Sequence, residues 1–400
     1  MKTRSTKALL FLCSLFALTL SSWAQELALL GHVQDAKTGE SLPYATIYRS
    51  TGKGTLTNIE GDFSLRASAQ DELTFSYVGY EKLRMKASEV PKVVIMKPFE
   101  RTLKEVVVAP VDEKEVLKKV IKNLKKDFLK HQNERQGYFM RTLMKNRKDS
   151  YLIESFIAAL SAVNLREEEM LSGIKGRNAE GNESRMGLGF TNIQHLTEIA
   201  PSTYQNEYWQ QAIKPLSSYS ETKEYYNVQL ETLFGSEDEK LYRIVFQWNE
   251  KKRPEWHTRY LENRRHLTGT AYVDAKALRL LSFEGEVGNA YLLFNFQRQP
   301  NAIKFYITYD YTNGYAAVST LVVDGGNEGM RYRLLLFNVK DDSLFAVSSG
   351  FIEDNILSAV DNAGYDSTLW DKYNIVKRTE EEELAASKRP FKYEKSNDEQ

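Results

Sequence analysis

The sequence predicts a mainly β protein with some helix: a small N-terminal β-sandwich, then a large curved antiparallel sheet packed on one long helix. Three observations carry this prediction. Between Gly31 and Pro110, short apolar runs alternate with turn residues. From Asp112 to Gln132, apolar residues recur at three- and four-residue spacing, the period of a helix with one buried face. From Tyr225 onward, longer strands follow one another with no helical pattern long enough for a crossover, which makes their pairing antiparallel.

In the first of these stretches Leu73, Phe75 and Tyr77 share one strand face, as do Phe63 and Leu65, and Val93 and Ile95. Between the runs lie Lys37-Thr38-Gly39-Glu40, Thr51-Gly52-Lys53-Gly54, Asn58-Ile59-Glu60-Gly61 and Val78-Gly79-Tyr80, where glycine and asparagine allow the positive φ of tight turns. About seven short strands, each apolar on one face, bury those faces only by stacking as two sheets.

The order of the residues adds a resemblance. The runs G-x-V-x-D-x-x-T-G-E-x-L-P-x-A-T (Gly31 to Thr46), G-K-G-T-x-T-N-x-E-G-x-F-S-L (Gly52 to Leu65) and F-S-Y-V-G-Y (Phe75 to Tyr80) resemble the carboxypeptidase regulatory-like domain. That family is a transthyretin-like sandwich found in exported proteins of diderm bacteria. The resemblance covers about a fifth of the chain. It implies a module that is not itself catalytic. Leu103-Lys104-Glu105-Val106-Val107-Val108 is similar to the segment that joins this domain to the plug of TonB-dependent outer-membrane receptors. The rest of the chain departs from those receptors, because it is too short for a barrel of about 22 strands.

Residues 1–24 read as an export signal. Lys2, Arg4 and Lys7 precede an apolar run from Ala8 to Leu20, and Ser22-Trp23-Ala24 supplies small residues at the cleavage positions before Gln25. The apolar run is too short for a stable membrane span, which needs about 20 residues. The chain has 54 basic and 54 acidic residues, so removing the signal leaves 51 against 54, a net charge of −3. No basic stripe points to nucleic acid. The single cysteine, Cys13, lies within the signal behind a bulky Leu12, a poor lipidation site, so the mature chain is expected to hold no disulfide or thiolate metal site.

Residues 25–110 are therefore expected to form the sandwich and 111–380 an α+β body, with a charged tail over 381–400. In the helix, Val116, Leu117, Val120, Ile121, Leu124, Phe128 and Leu129 form the buried stripe; Asp112 is the cap, and the lysines opposite read as a solvated face. A hairpin follows over 137–163. Residues 165–220, glycine-rich and polar, read as a loop or lid with short helices at 193–199 and 204–213. Strands are expected at 225–234, 240–249, 265–274, 277–287, 291–297, 302–311, 314–323, 330–338 and 343–351. Asn313-Gly314 and Asp324-Gly325-Gly326-Asn327 read as turns, and 373–379 as a last strand. The pattern Leu241 to Phe246 followed by Leu267 to Asp274 is similar to the C-terminal region of exported proteins carrying the same module. By analogy of fold it resembles the open, half-wrapped barrels of periplasmic lipoprotein carriers.

Catalytic signals are sparse. His131-Gln132-Asn133-Glu134 has the H-x-x-E spacing of a zinc site, with His257 and His266 far enough downstream to supply a third ligand. The pair ends a lysine-rich helix, where a histidine suits the dipole, and the α/β framework of a metallopeptidase is missing. Asp35, Glu60 and Asp62 are too sparse for a calcium loop and read as turn caps. Trp248, Trp256, Tyr225, Tyr226, Phe294 and Phe296 suit a core or an aromatic groove. No nucleophile elbow, phosphate loop or dinucleotide fingerprint stands in its proper context. These readings lead to a non-enzymatic periplasmic or outer-membrane-associated binding or assembly protein, with no catalytic residue, metal or cofactor assigned. Its partner would be an envelope protein, lipid or glycan. The alternative is a zinc hydrolase using His131 and Glu134. Intact-mass measurement of exported protein should give a chain starting at Gln25; a lipidated Cys13 would overturn that.

Overall fold

The computed structural model describes residues 26–50, 54–100, 111–131, 134–146, 150–160, 168–175, 215–216, 218–236, 239–249, 266–288, 291–294, 297–300, 302–327, 330–340, 364–373 and 375–387. The fold is mainly β, as the residue pattern predicts. Seven strands form the sandwich: β1 (Glu26–Asp35), β2 (Thr46–Arg49), β3 (Gly54–Leu56), β4 (Asp62–Ser68), β5 (Glu72–Ser76), β6 (Leu83–Lys86) and β7 (Val93–Met96). One sheet has the order β4-β1-β7 and the other β3-β2-β5-β6. Between them, Val33, Ile47, Phe63, Leu65, Leu73, Phe75 and Val94 are buried together, with Phe63 and Phe75 edge to face at 5.6 Å.

One strand faces the other way from its expected alternation. Val93 and Ile95 are 43% and 53% exposed, while Val94 and Met96 are buried. The run Val93-Val94-Ile95-Met96 is apolar at both parities, so its period cannot choose a face. The parallel pairing with β1, Val33 opposite Val94, makes the choice.

The larger body is a ten-stranded antiparallel sheet that does not close. Its strands are β8 (Arg135–Asn146), β9 (Ser150–Leu160), β10 (Glu168–Lys175), β11 (Tyr226–Phe234), β12 (Lys240–Trp248), β13 (His266–Asp274), β14 (Leu280–Gly288), β17 (Ala302–Asp310), β18 (Ala317–Asn327) and β19 (Met330–Asn338). Their order is β10-β9-β8-β19-β18-β17-β14-β13-β12-β11. Strands β15 (Tyr291–Phe294) and β16 (Gln297–Pro300) pair as a separate hairpin. The expected loop over 165–220 therefore contains a strand, β10, and also the start of helix α2 (Tyr219–Tyr225). The helices expected at 193–199 and 204–213, and the strand at 343–351, lie outside the described residues. Asp324-Gly325-Gly326-Asn327 is strand rather than turn: Gly325 pairs with Tyr332, and Asp324 takes Arg331 and Arg333 across the ladder.

Helix α1 (Glu113–His131) lies on the concave face. Asp112 accepts from the Glu115 N–H at 3.2 Å, the cap its position predicts. Val116, Leu117, Val120, Ile121 and Leu124 are buried in one cluster with Ile244, Phe246, Phe283, Phe305 and Leu334. The helix crosses the sheet obliquely. Lys118 stands over the Tyr219 ring beside β11, and His131 stacks on Tyr315 beyond β17.

The convex face is covered from both ends of the chain. Leu56 of the sandwich joins Phe139, Phe156, Val322, Leu335 and Phe337 of the sheet, and Tyr373 and Val376 complete the same cluster. The segment around these last two follows α3 (Ser367–Lys372) and leads into α4 (Glu380–Ser387). It is not a strand with a solvated tail, as its composition suggests. Thr379 and Glu382 cap α4 reciprocally: the Glu382 N–H donates to Thr379 Oγ1, and the Thr379 N–H to Glu382 Oε2. Glu382 is buried, and so are Ala385 and Ala386, against Leu143 and Leu152.

What holds this segment is charge. Arg141, 2% exposed, donates to Glu154 at 2.6 Å, to Glu382 at 3.1 Å and to the carbonyls of Val376 and Lys377. Arg378 grips the other side of Glu154 at 2.5 Å. Burial works against ionising Glu154, but Arg141 and Arg378 outweigh it and hold the carboxyl below its usual range. A carboxyl lowered in this way stabilises the fold above its unfolded value, about pH 4.3, and that contribution is lost as pH falls through the folded value. Glu154→Gln should therefore cost about 3–5 kcal/mol at neutral pH by leaving buried arginines uncompensated. In urea melts the gap to wild type should narrow in acid, where the native carboxyl is itself protonated; a gap independent of pH would overturn this account.

Candidate functional site

A cleft of about 900 Å³ opens between the outer face of β2 and β5 and the convex face of the large sheet. Strand alternation builds both walls. Ile47 and Phe75 point into the sandwich, so Thr46, Tyr48 and Ser76 point out into the cleft. On the sheet, Ile307 points to the concave core, so Thr308 and Asp310 face the sandwich.

Tyrosines join the walls. The Tyr306 ring lies between Tyr44, at 5.9 Å, and Tyr77, at 6.3 Å, stacked on both. Tyr77 meets Tyr80 edge to face at 5.2 Å. Tyr44 has a φ of 63°, a left-handed backbone costing about 1–2 kcal/mol for a side chain of this kind, and it spends that strain in reaching the sheet. Gly79, at φ 85°, brings its turn beside Tyr272, whose ring would touch a Cβ there at 3.4 Å. Burial raises the Tyr44, Tyr77 and Tyr306 hydroxyls above the ordinary tyrosine range, so all three are neutral donors at neutral pH.

The polar groups are mixed in sign. Lys340 bonds Asp310 at 2.6 Å and stands 5.8 Å over the Tyr48 ring, and Lys82, Glu239, Lys240 and Lys276 complete the rim. A smaller pocket of about 260 Å³ adjoins, sharing Tyr77, Tyr80 and Tyr306 with the cleft and adding Asp35, Glu40, Ser41, Tyr272 and Glu284. Burial pushes the Glu284 carboxyl up, and Arg243 only partly offsets it.

The residues singled out in the sequence fall elsewhere. His131 and Glu134 do approach, Nδ1 to Oε1 at 3.8 Å, but the imidazole lies flat on Tyr315 at 4.1 Å. His266 stacks on Trp248 at 4.0 Å and pairs with Gly288. The register puts these two histidines at opposite ends of the strands. His266 lies beside the Val287–Ile303 pair and Tyr315 beyond the Asp310–Ala317 pair, roughly 23 Å apart along β17 at about 3.3 Å per residue. His257 lies outside the described residues, among which no cluster of three or more candidate metal ligands occurs. Asp35 caps its turn, accepting from the Lys37 and Thr38 N–H groups and from the Tyr80 hydroxyl at 2.6 Å; Asp62 pairs with His32 and Lys377. Tyr225, Tyr226 and Trp248 pack on one another at the concave core. Trp256 and Phe296 lie outside the described residues.

The tyrosines of the cleft are scattered in sequence from Tyr44 to Tyr306, and only the docking of the two sheets gathers them. Added zinc should leave the melting temperature unchanged. A bound ion contributing even a few kcal/mol would raise it by several degrees, and a rise lost in His131→Ala would restore a metal reading.

Comparison with known proteins agrees with the N-terminal architecture. Residues 29–108 match the family model of the CarboxypepD_reg-like domain. A stretch of 103 residues, 26% of this chain, is 33% identical to the TonB-dependent receptor SusC of Bacteroides thetaiotaomicron. The chain spans only 10% of that receptor's length. Two solved structures align with over half the chain at a TM-score of 0.24. One is a putative outer membrane lipoprotein-sorting protein domain from Vibrio parahaemolyticus, at 12% identity over 56% of this chain and 92% of that one. The other is a DUF1329 family protein from Desulfovibrio piger, at 8% identity over 60% of this chain and 96% of that one. The seven-stranded sandwich that forms one wall of the cleft is thus a carboxypeptidase regulatory-like domain.

Proposed function

We propose that this protein is an exported binding or assembly component of a bacterial envelope, working in the periplasm or against the outer membrane, with a cleft that binds without catalysing. The cleft between sandwich and sheet is where it holds its ligand. One observation carries the reading: about 900 Å³ of space walled by tyrosines that come from both domains. Ligand sites commonly enclose about 300–1,000 Å³ and combine aromatic surface with a few placed polar groups. The signal-like N-terminus and the domain shared with a TonB-dependent receptor support the compartment.

The rim sets the ligand's character. Lysines and carboxylates alternate around rings that keep neutral hydroxyls, which suits a molecule with apolar faces and many hydrogen-bonding groups. A glycan or a peptide segment of an envelope protein has both; a bare acyl chain has only the first. The concave face, where a half-wrapped barrel would hold a lipid, is filled by the apolar stripe of α1.

The test is a thermal-shift screen of the purified chain against envelope glycan, peptide and lipid fractions. At saturation a cleft ligand should raise the melting temperature by about 5 °C or more. Tyr48→Ala and Lys340→Ala should abolish the rise while moving the unliganded midpoint by no more than about 3 °C. A rise that persists in both variants would put the binding site elsewhere.

A further inference from the structure

The sandwich carries a second arrangement that ligand holding does not use. Ser41 Oγ lies 3.2 Å from His32 Nε2, and His32 Nδ1 lies 2.9 Å from Asp62 Oδ1. An ionised carboxylate only accepts, so the proton of the neutral ring sits on Nδ1 and Nε2 presents its lone pair to the Ser41 hydroxyl. A nucleophilic hydroxyl needs this order: a base facing it, and a carboxylate fixing the tautomer of the base. Burial opposes the charge on Asp62, but Lys377 and His32 outweigh it and keep the carboxyl ionised.

Two further features make the group a site. Ser41 is exposed, so water and substrate can reach it, and of the three residues it alone lines the pocket of about 260 Å³. In the Gln34–Ser41 bridge, the flanking bonds run from the Asp35 N–H to Glu40 O and from the Leu42 N–H to Val33 O. The Ser41 N–H therefore points away from the pairing, where it can donate to an oxyanion on its own side chain's substrate. Gly61, at φ 84°, makes the approach possible; a Cβ there would stand 2.9 Å from Ser41 Cβ and 3.0 Å from His32 Cε1.

We propose that Ser41, His32 and Asp62 form a nucleophilic triad that hydrolyses short esters of neutral or amine-bearing acyl groups. The pocket beside Ser41 admits an acyl group of a few carbons, and the Asp35 carboxylate in its lining repels an anionic one. Ser41 Oγ bonds to the acyl carbon as its proton passes to His32 Nε2. The bond to the alcohol oxygen breaks, and the alcohol leaves with that proton. Water then attacks the acyl-serine, giving its proton to His32 and releasing the acid while Ser41 recovers its hydrogen. Lys377 holds the second oxygen of Asp62 at 2.7 Å, which orients the carboxylate but shares its charge. Activated esters are therefore within reach of the triad and amides are not. The pocket shares tyrosines with the cleft, but His32, Ser41 and Asp62 are not in the cleft's lining, so either activity can fail without the other.

The experiment treats the full chain with a fluorophosphonate probe, maps the adduct by mass spectrometry and follows p-nitrophenyl acetate hydrolysis in parallel. Ser41 should be the labelled residue. Ser41→Ala, a change at an exposed position, should keep the melting temperature and lose both signals. His32→Asn and His32→Gln should each lower the labelling rate by at least about tenfold, the lower end for loss of a general base. Lys377→Met should leave it equal or faster. An unlabelled Ser41, or labelling as fast in both His32 variants as in wild type, would overturn the proposal and leave a hydrogen-bond chain that pins residue 41 to β1.

Discussion

The guanidinium of Arg141 is the constraint on which the rest of this structure depends. It sits on the convex face of β8, opposite Glu154 on β9, and is almost wholly buried. A buried arginine needs acceptors for its donors, and among the described residues the sheet supplies only Glu154. The others, Glu382 and two carbonyls, come from beyond residue 375. The end of the chain must therefore return across the sheet. In returning it lays Tyr373 and Val376 over Phe139, Phe156 and Phe337, apolar surface that would otherwise face water.

The same strap sets the position of the sandwich. Lys377 reaches Asp62, and Thr55 donates its hydroxyl to the Ile375 carbonyl. The tyrosine stack around Tyr306 supplies the other anchor. The cleft lies between these contacts, so its width follows from a network some distance from its own walls. Both faces of the sheet are thereby used, one by α1 and one by the sandwich and strap together.

Much of this was legible in the residues. The spacing from Val116 to Leu124 identifies α1 and its buried stripe, Asp112 its cap, and Asn313-Gly314 the β17–β18 hairpin. Phe63, Leu65, Leu73 and Phe75 read correctly as the sandwich core. The failures have local causes. Val93 to Met96 is apolar at both parities, so alternation carried no information. Asp324 to Asn327 has turn composition, but its carboxylate faces two arginines across the ladder. Glu380 to Glu383 reads as a solvated run because local charge hides its partners; Arg141 is more than 230 residues earlier. Thr379-x-x-Glu382 has the spacing of a capping box, a local signal that the run starts a helix. The cleft and the Ser41–His32–Asp62 chain belong to another class. The cleft's tyrosines are remote in sequence and meet only when the two sheets dock; Ser41 and Asp62 stand 9 and 30 residues from His32, and the turn after β1 and the β1–β4 pairing bring them to it.

The return of residues 375–387 also has a consequence in time. Contacts between Arg141 and Glu382, or between Asp62 and Lys377, close loops of hundreds of residues, and such long-range contacts form slowly. Strand pairing within the sandwich, and between β8 and β9, is local by comparison and can precede them. The chain should thus pass through a state in which both sheets exist while the aromatic strip of Phe139, Phe156 and Phe337 still lies bare. That state is the one exposed to proteases and to self-association, and it ends only when the last helix seats its glutamate. A chain broken or stalled before Glu382 would keep most of its strands and yet never leave it.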